Sequence, residues 1–316
     1  MDPGDVERDR VAFTNLDEPL FAGAGATKRQ LVDYLRAVAE PFIAELSDRP
    51  LSVIRVIRDQ APFMQKNVPK YTPEWVRTVT MWAEASKREV SYALCNDLQT
   101  LLWFANQRAV EYHPALMRID RPGPLYLVLD LDPPAADGFP AAVHAAQLVK
   151  QVLDEVHVAS AVKTSGAKGV HVFVPLAQAG WEDVAAAARA IAVRAARLDP
   201  SIATTAFMKE ERGGKVFIDS TRVGGATVVA AYSPRARAGV PVSFPVSWDD
   251  LDRVSPDDFT IHTAAQLVAQ RDPWAELMPR AQTLPPDVVD EGRALPVARV
   301  QAMHEGKRRA RARRTG

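Results

Sequence analysis

The stretch Leu125–Pro134, LYLVLDLDPP, decides the reading of this chain. Its Leu- and Val-rich composition is that of a buried strand, yet the run ends in two carboxylates, Asp130 and Asp132. Side chains alternate faces along a strand, so Tyr126, Val128, Asp130 and Asp132 share one face while Leu125, Leu127, Leu129 and Leu131 share the other. Two like charges at the end of an apolar strand repel each other, and burying them without partners is expensive. A divalent cation resolves the conflict, and hard oxygen donors suit Mg²⁺ or Mn²⁺. The plainer alternative is a strand that stops there, with both carboxylates in water.

Composition bounds the rest. The chain has 316 residues, 47% hydrophobic and 25% charged, which is ordinary globular composition with ample material for a core. A single cysteine, Cys95, excludes a disulfide framework and a cysteine-built zinc site. The opening MDPGDVERDR has no apolar core of a signal peptide, and no apolar run approaches the roughly 20 residues that span a bilayer. The expectation is a cytoplasmic protein without membrane contact. Net charge is +0, from 39 basic and 39 acidic residues, so global charge announces no polyanion. Six Lys or Arg crowd positions 307–314. Such a run reads as a solvated tail, or as a source of sequence-independent attraction to phosphates.

Along the chain, residues 1–12 read as a flexible lead. Thr27 can cap a helix over 28–46, where Leu31, Tyr34, Leu35, Val38, Phe42 and Leu46 recur at helical spacing. A strand follows at 51–57, then a loop with Phe63, Gln65, Lys66 and Asn67, and a short piece opened by Pro73 that holds Trp75. A helix over 96–108 precedes His113 and the carboxylate strand. Ala-rich helices are expected at 137–156 and 182–198. Between them, β-rich runs at 158–163 and 170–175 flank the turn TSGAKG and predict a hairpin. Strands at 215–219 and 227–232, a helix near 263–270 and an irregular end complete the reading. Interleaved strands, helices and hairpins point to an α/β or α+β fold with an antiparallel component.

Three features can meet at one sheet edge: Asp130 with Asp132, the turn Ser165–Gly169 with His171 beyond it, and Asp219, which again ends a strand. Carboxylates beside Lys and His suit a ligand carrying both cations and phosphates. Glycines let backbone N–H groups approach an anion, and Lys168 adds a point charge. Hairpin punctuation is the plain reading of the turn, and a partly buried histidine that of His171.

Several longer stretches then carry a resemblance: NLDEPLF (15–21), TKRQLVDYLRAVA (27–39), FMQKNVP (63–69), NDLQTLLWFANQRAVEYHP (96–114), LVLDLDPP (127–134), KTSGAKGVHVFVPL (163–176), GKVFID (214–219), YSPRA (232–236) and DPWAEL (272–277). Together, over about residues 15–279, the chain resembles the polymerase domain of bacterial ATP-dependent DNA ligase D, in the archaeo-eukaryotic primase superfamily. The resemblance implies a primase-like catalytic core with a largely antiparallel, RRM-like sheet flanked by helices, plus an N-terminal module of helices and strands. One catalytic domain is expected over 13–280, divided near 115, followed by an irregular basic tail over 281–316.

The resemblance also implies template-directed addition of nucleotides, with a leaning to ribonucleotides, to a DNA 3′ end at gaps or breaks in end-joining repair. Asp130, Asp132 and Asp219 would hold two Mn²⁺ or Mg²⁺ ions. His113 and Ser165 would lie near the ribose 2′-hydroxyl, Lys168 and His171 at the triphosphate and sugar, and Arg235 on phosphate. Lys28, Phe63 and Lys66 would meet DNA, although Phe63 could equally be a core aromatic. Implied partners are gapped or broken DNA, NTP or dNTP, Ku and a separate DNA ligase, around a monomer associated with the nucleoid. The chain departs from the family in two places. Glu18 replaces the lysine of NLDK, a charge reversal that weakens a 5′-phosphate grip which Lys28 could partly retain. STRVGGATVVAA (220–231) has Ala226 where Asn is common, with Arg222 nearby, and Ala231 where Pro precedes Tyr. Two other readings compete. The same acids could activate water in a metal-dependent phosphoesterase, or a decayed site could leave a non-catalytic DNA-end-binding module.

Overall fold

The computed structural model describes residues 10–57, 60–83, 87–121, 123–135, 137–223, 227–269 and 271–297. The expected tail beyond residue 297, with its basic run, and Ala226 lie outside these residues, as does most of the expected lead. Its end is not frayed. Val11 is buried, and the Arg10 N–H donates to Gln99 Oε1 at 2.9 Å.

Helix α1 (Lys28–Ala37) starts from a capping box, in which Thr27 Oγ1 accepts from the Gln30 N–H and Gln30 Oε1 accepts from the Thr27 N–H. The single helix expected over 28–46 is two, because α2 (Ala39–Leu46) restarts after Val38. Pro41 is the cause. It has no N–H, and its ring opposes the carbonyl of Ala37, four residues back. Strand β1 (Leu51–Arg55) ends at a register shift two residues before the expected boundary. The expected loop at Phe63 is instead β2 (Phe63–Gln65), paired to β1, and Trp75 sits in a turn. A hairpin that the sequence did not announce, β3 (Thr78–Ala83) with β4 (Arg88–Ala93), follows. Asp97 caps α3 (Leu98–Asn106), and β5 (Ala109–Pro114) carries His113 within the strand. These strands form one antiparallel sheet in which β1 pairs with β2, β4 and β5.

The second sheet holds the carboxylates. Its elements run β6 (Tyr126–Asp132), α4 (Phe139–Glu155), β7 (Ala161–Thr164), β8 (Val170–Pro175), α5 (Trp181–Leu198), β9 (Ala203–Thr204), β10 (Val216–Asp219) and β11 (Pro245–Val246). In space the order is β11-β7-β8-β6-β10-β9, antiparallel except for β9 with β10. Leaving out the two edge strands, the chain path β6-α4-β7-β8-α5-β10 is the split β-α-β arrangement, with α4 and α5 on one face. This matches the expected RRM-like sheet. The other face packs into a core shared with the N-terminal half, where Val128, Ala161 and Phe173 join Phe42, Tyr112 and Trp274.

Residues Thr227–Tyr232, expected as a strand, form only an isolated bridge from Thr227 to Ala115. Tyr232 has φ 68°, a left-handed conformation that no strand can continue through. Short helices α6 (Ala264–Val268) and α7 (Pro273–Leu277) follow. The end expected to be irregular contains α8 (Pro286–Ala294), docked on α5. Alanines make that contact close: a side chain at Gly292 would lie 1.9 Å from the Ala186 carbonyl oxygen.

Candidate active site

Strand β6 divides its side chains as the alternation predicts. Leu127, Leu129 and Leu131 are fully buried against α4 and α5, while Val128, Asp130 and Asp132 face the other way. In the ladder, Asp219 of β10 pairs with Asp130, Asp130 pairs with His171 of β8, and His171 pairs with Lys163 of β7. Four strands thus lay Lys163, His171, Asp130 and Asp219 in one transverse row. Directly opposed residues on one face have Cβ atoms about 4.5–5.5 Å apart, so the four stand side by side.

The row is electrostatically closed. His171 Nε2 lies 3.3 Å from Asp130 Oδ1, and the Arg222 guanidinium bridges Asp130 Oδ2 at 2.6 Å and Asp219 Oδ2 at 3.2 Å. Asp219 Oδ1 accepts from the N–H and hydroxyl of Thr221 at 2.8 and 2.6 Å. Burial opposes the charge on Asp130, but His171 and Arg222 outweigh it and hold the carboxyl well below its usual range. Burial and the neighbouring Lys163 push His171 down to about 4.

Asp132 shares the edge but is 44% exposed and turns to other cations, Lys168 at 3.4 Å and Arg212 at 3.7 Å. Among the described residues, no three His, Cys, Asp or Glu side chains converge as a metal-holding group. The donor chemistry nonetheless fits a hard divalent ion. All three acids lie on two adjacent strands, and a stand-in cation, the Arg222 guanidinium, already sits between two of them.

The turn after β7 packs against this edge. Ser165 Oγ accepts from the N–H groups of Ala167 and Gly169 at 3.2 and 3.1 Å, and Lys168 Nζ donates to the Pro133 carbonyl. Two glycines are dictated by space. Gly166 has φ 66° and a Cβ there would lie 2.7 Å from Arg235 Cγ, while at Gly169 it would meet the Leu131 carbonyl oxygen at 2.5 Å.

From the other sheet, His113 Nε2 contacts Glu111 Oε2 at 2.9 Å, and Arg235 Nε lies 3.1 Å from that same oxygen. Arg235 also donates to the Ser165 carbonyl at 2.5 Å. His113, Glu111, Arg235 and Ser165 therefore form a second chain beside the first. Burial raises the Glu111 pKa, but His113 and Arg235 dominate and bring it from 4.5 down to about 2. A depressed carboxyl contributes stability that is present above about pH 4.5 and lost as pH falls toward 2. Glu111→Gln will remove that share, about 3 kcal/mol, so its acid-unfolding curve will be flatter than wild type in this window when both are followed by circular dichroism.

The DNA-side candidates lie apart from both chains. Phe63 on β2 is 36% exposed beneath the Arg55 guanidinium, which removes the reading of a core aromatic, and Lys66 beyond it is exposed. Lys28 turns inward. Its ammonium donates to Thr14 O and Asn106 Oδ1, both at 2.6 Å. Burial, with Arg108 nearby, pulls its pKa down to about 8. Glu18 lies 3.4 Å from Arg108.

Residues 27–274 match the family described as LigD, primase-polymerase domain. The chain belongs to the LigD primase-polymerase family. Membership makes it a nucleotidyltransferase of primase-polymerase type on a primase-type fold. It is similar to the polymerase domain from Mycobacterium tuberculosis ligase D in complex with DNA, with TM-score 0.78 and 28% identity, covering 85% of this chain and 98% of that one. The bifunctional non-homologous end joining protein LigD of Bacillus subtilis is 30% identical over 268 residues, 83% of this chain and 43% of that protein. The multifunctional non-homologous end joining protein LigD of Pseudomonas aeruginosa is 32% identical over 263 residues, 79% and 31% respectively. The chain therefore spans less than half the length of these LigD relatives.

Within this LigD-type domain, sequence reasoning passed over Glu111, Lys163 and Arg212. Each lies within or beside a motif that was read, but each acts through a neighbour. Glu111 and Lys163 carry a weak signal, since each is an ionisable residue two positions from a candidate, inside a strand. The Arg222 bridge had none beyond proximity to Asp219.

Proposed function

We propose that this chain adds nucleotides, ribonucleotides by preference, to the 3′ end of DNA at gaps or breaks during end joining. The observation that carries the reading is the transverse row, with Asp219 and Asp130 at one end and His171 and Lys163 at the other. Acids for cations and donors for a nucleotide then share one strip of sheet. Asp130, Asp132 and Asp219 would hold two Mg²⁺ or Mn²⁺ ions, with Arg222 swinging away from the acids. Bound there, the ions supply Lewis-acid stabilisation of the attacking and leaving oxygens. Asp219, backed by Thr221, would help take the proton of the primer hydroxyl. Lys168 and Arg235 stand as cations for the triphosphate, Ser165 and His113 as polar neighbours of the ribose, and His171 as a donor between them. A hydroxyl-reading site of this kind favours the sugar that fills it.

DNA would approach from the first sheet, where Phe63 can stack on a base and Lys66 can meet phosphate. Phe63→Ala should weaken binding of a gapped duplex about tenfold, in line with the ~1–3 kcal/mol of a stacked base, and leave the melting temperature unchanged. Fluorescence anisotropy checks it, and equal affinities would remove Phe63 from the interface. The end-joining names of the relatives support a place in that repair, and the partners proposed with it are Ku and a separate DNA ligase, around a monomer acting at the nucleoid. Among the described residues, no helix is long and apolar enough to cross a membrane.

Incubation with Mn²⁺, one nucleotide and a gapped, 5′-phosphorylated duplex, resolved on a gel, tests the proposal. A lengthened primer is expected. A shortened one would support phosphoester hydrolysis, and a shifted but unchanged one a binding module.

A further inference from the structure

We propose that Tyr71 is a second stacking residue for unpaired nucleic-acid bases, held beside Phe63 by the Arg55 guanidinium. The role rests on the proposed approach of DNA from the first sheet, and it gives that face a ligand class, the single strand.

Tyr71 leaves 60% of its surface in water. A lone exposed ring needs no explanation, but this one is held at both ends. Its backbone lies in the turn from Pro69 to Thr72, where the Thr72 N–H and hydroxyl donate to the Pro69 carbonyl at 3.0 and 2.6 Å. Just before the turn, the loop is tied to β4. The Val68 N–H donates to the Ser91 carbonyl at 2.8 Å, and the Ser91 N–H donates to Asn67 Oδ1 at 2.9 Å.

Arg55 fixes the tip of the side chain. Its Nη1 donates to the Tyr71 hydroxyl at 3.2 Å and to Gln65 Oε1 at 2.8 Å, and its Nε donates to the Gln107 carbonyl at 2.8 Å. The same guanidinium stands 5.8 Å from the centroid of the Phe63 ring. One planar cation thus orders two exposed rings before any ligand arrives, so binding loses little side-chain freedom. Among the described residues Arg55 meets neutral acceptors and no carboxylate. Residues 60–73 add the exposed Lys66 and Lys70 and hold no acid. The charge left over suits a polyanion.

Rings interleaved with cations suit an unpaired strand in particular. Every base has a π-face to stack, and phosphates meet the cations. In a duplex those faces are already stacked on one another, and an acidic peptide would satisfy the charges without using the rings.

Fluorescence anisotropy of the full chain tests this with a gapped duplex, whose template bases are unpaired in the gap, and an ungapped duplex of the same length. Tyr71→Ala should weaken binding of the gapped duplex about tenfold and leave the ungapped one as in wild type. Tyr71→Phe, which keeps the ring, should bind both as wild type does. Arg55→Lys keeps the charge without the planar fork, so it should lose gapped-duplex affinity alone. Equal gapped-duplex affinities of wild type and Tyr71→Ala overturn the proposal. So does an equal loss on both duplexes, or a Tyr71→Phe chain as weak as Tyr71→Ala. An Arg55→Lys chain that binds both duplexes as wild type does overturns the clamp. If Phe63→Ala weakens binding and Tyr71→Ala does not, the DNA face stands without Tyr71; if neither does, that face falls as well.

Discussion

Asp132→Ala will abolish primer extension and leave the melting temperature where it was, whereas Asp130→Ala will abolish extension and lower the melting temperature as well. The two acids share a strand face but not an environment. Asp132 is 44% exposed and meets its cations at 3.4 and 3.7 Å, a surface arrangement worth about 0–1 kcal/mol. Asp130 is only 16% exposed on its side chain, with Arg222 at 2.6 Å and His171 at 3.3 Å. Removing one partner of a buried pair costs about 3–5 kcal/mol. Arg222 keeps Asp219 and some water contact, so about 2 kcal/mol is expected here. For the chemistry both should count alike. Loss of one cation ligand should remove about 4 kcal/mol of transition-state stabilisation, roughly a thousandfold in rate. Single-turnover extension with Mn²⁺ beside a thermal melt reads both quantities. Extension by Asp132→Ala within tenfold of wild type would take that residue out of the site.

Gly292→Ala is expected to be the most damaging single change outside the active edge. A methyl group there would sit 1.9 Å from the Ala186 carbonyl oxygen and 2.3 Å from its carbon, distances that no side-chain adjustment relieves because both atoms are backbone. Either α8 shifts away from α5, or it undocks. Displacement uncovers Val288 and Val289, and also strains the contacts of Arg194 with Glu291 at 2.5 Å and of Arg189 with the Gly292 carbonyl. Overpacking typically costs about 1–3 kcal/mol, and a backbone clash belongs at the upper end. Limited proteolysis should cut the variant first within 280–297, while extension at low temperature persists because α8 lies on the helix side of the sheet. Asp290→Ala, on the exposed part of the same helix, should melt like wild type. Equal melting of Gly292→Ala would mean that α8 is not closely docked.

What could be read in advance followed from strict periodicity. The two-residue alternation of 125–132 gave both the strand and the sidedness of its acids, and the apolar runs around TSGAKG gave β7 and β8. Where periodicity was blurred, reading failed. In β3 the sequence TVTMWA puts Trp82 on the outer face at 60% exposure, so apolar alternation does not mark the hairpin. Helix α8 holds a glycine and two valines, poor helix formers retained because tertiary contact overrides propensity. At the site, residues that would touch substrate were recognisable by type. The inward turn of Lys28 was not legible, because a lysine within a matched motif carries no sign of which way its ammonium points. Glu111 and Lys163 were passed over because they orient other side chains, and such work is visible only once strands are in register.

That register has an evolutionary consequence. Since successive side chains point to opposite faces, shifting β10 along β6 by a single residue would carry Asp219 across to the leucine side and bring Ile218 into its place. Lengthening or shortening either strand by one codon should therefore eliminate function outright rather than weaken it. The loops between the strands, by contrast, are free to drift in length, and divergence among related enzymes should accumulate there.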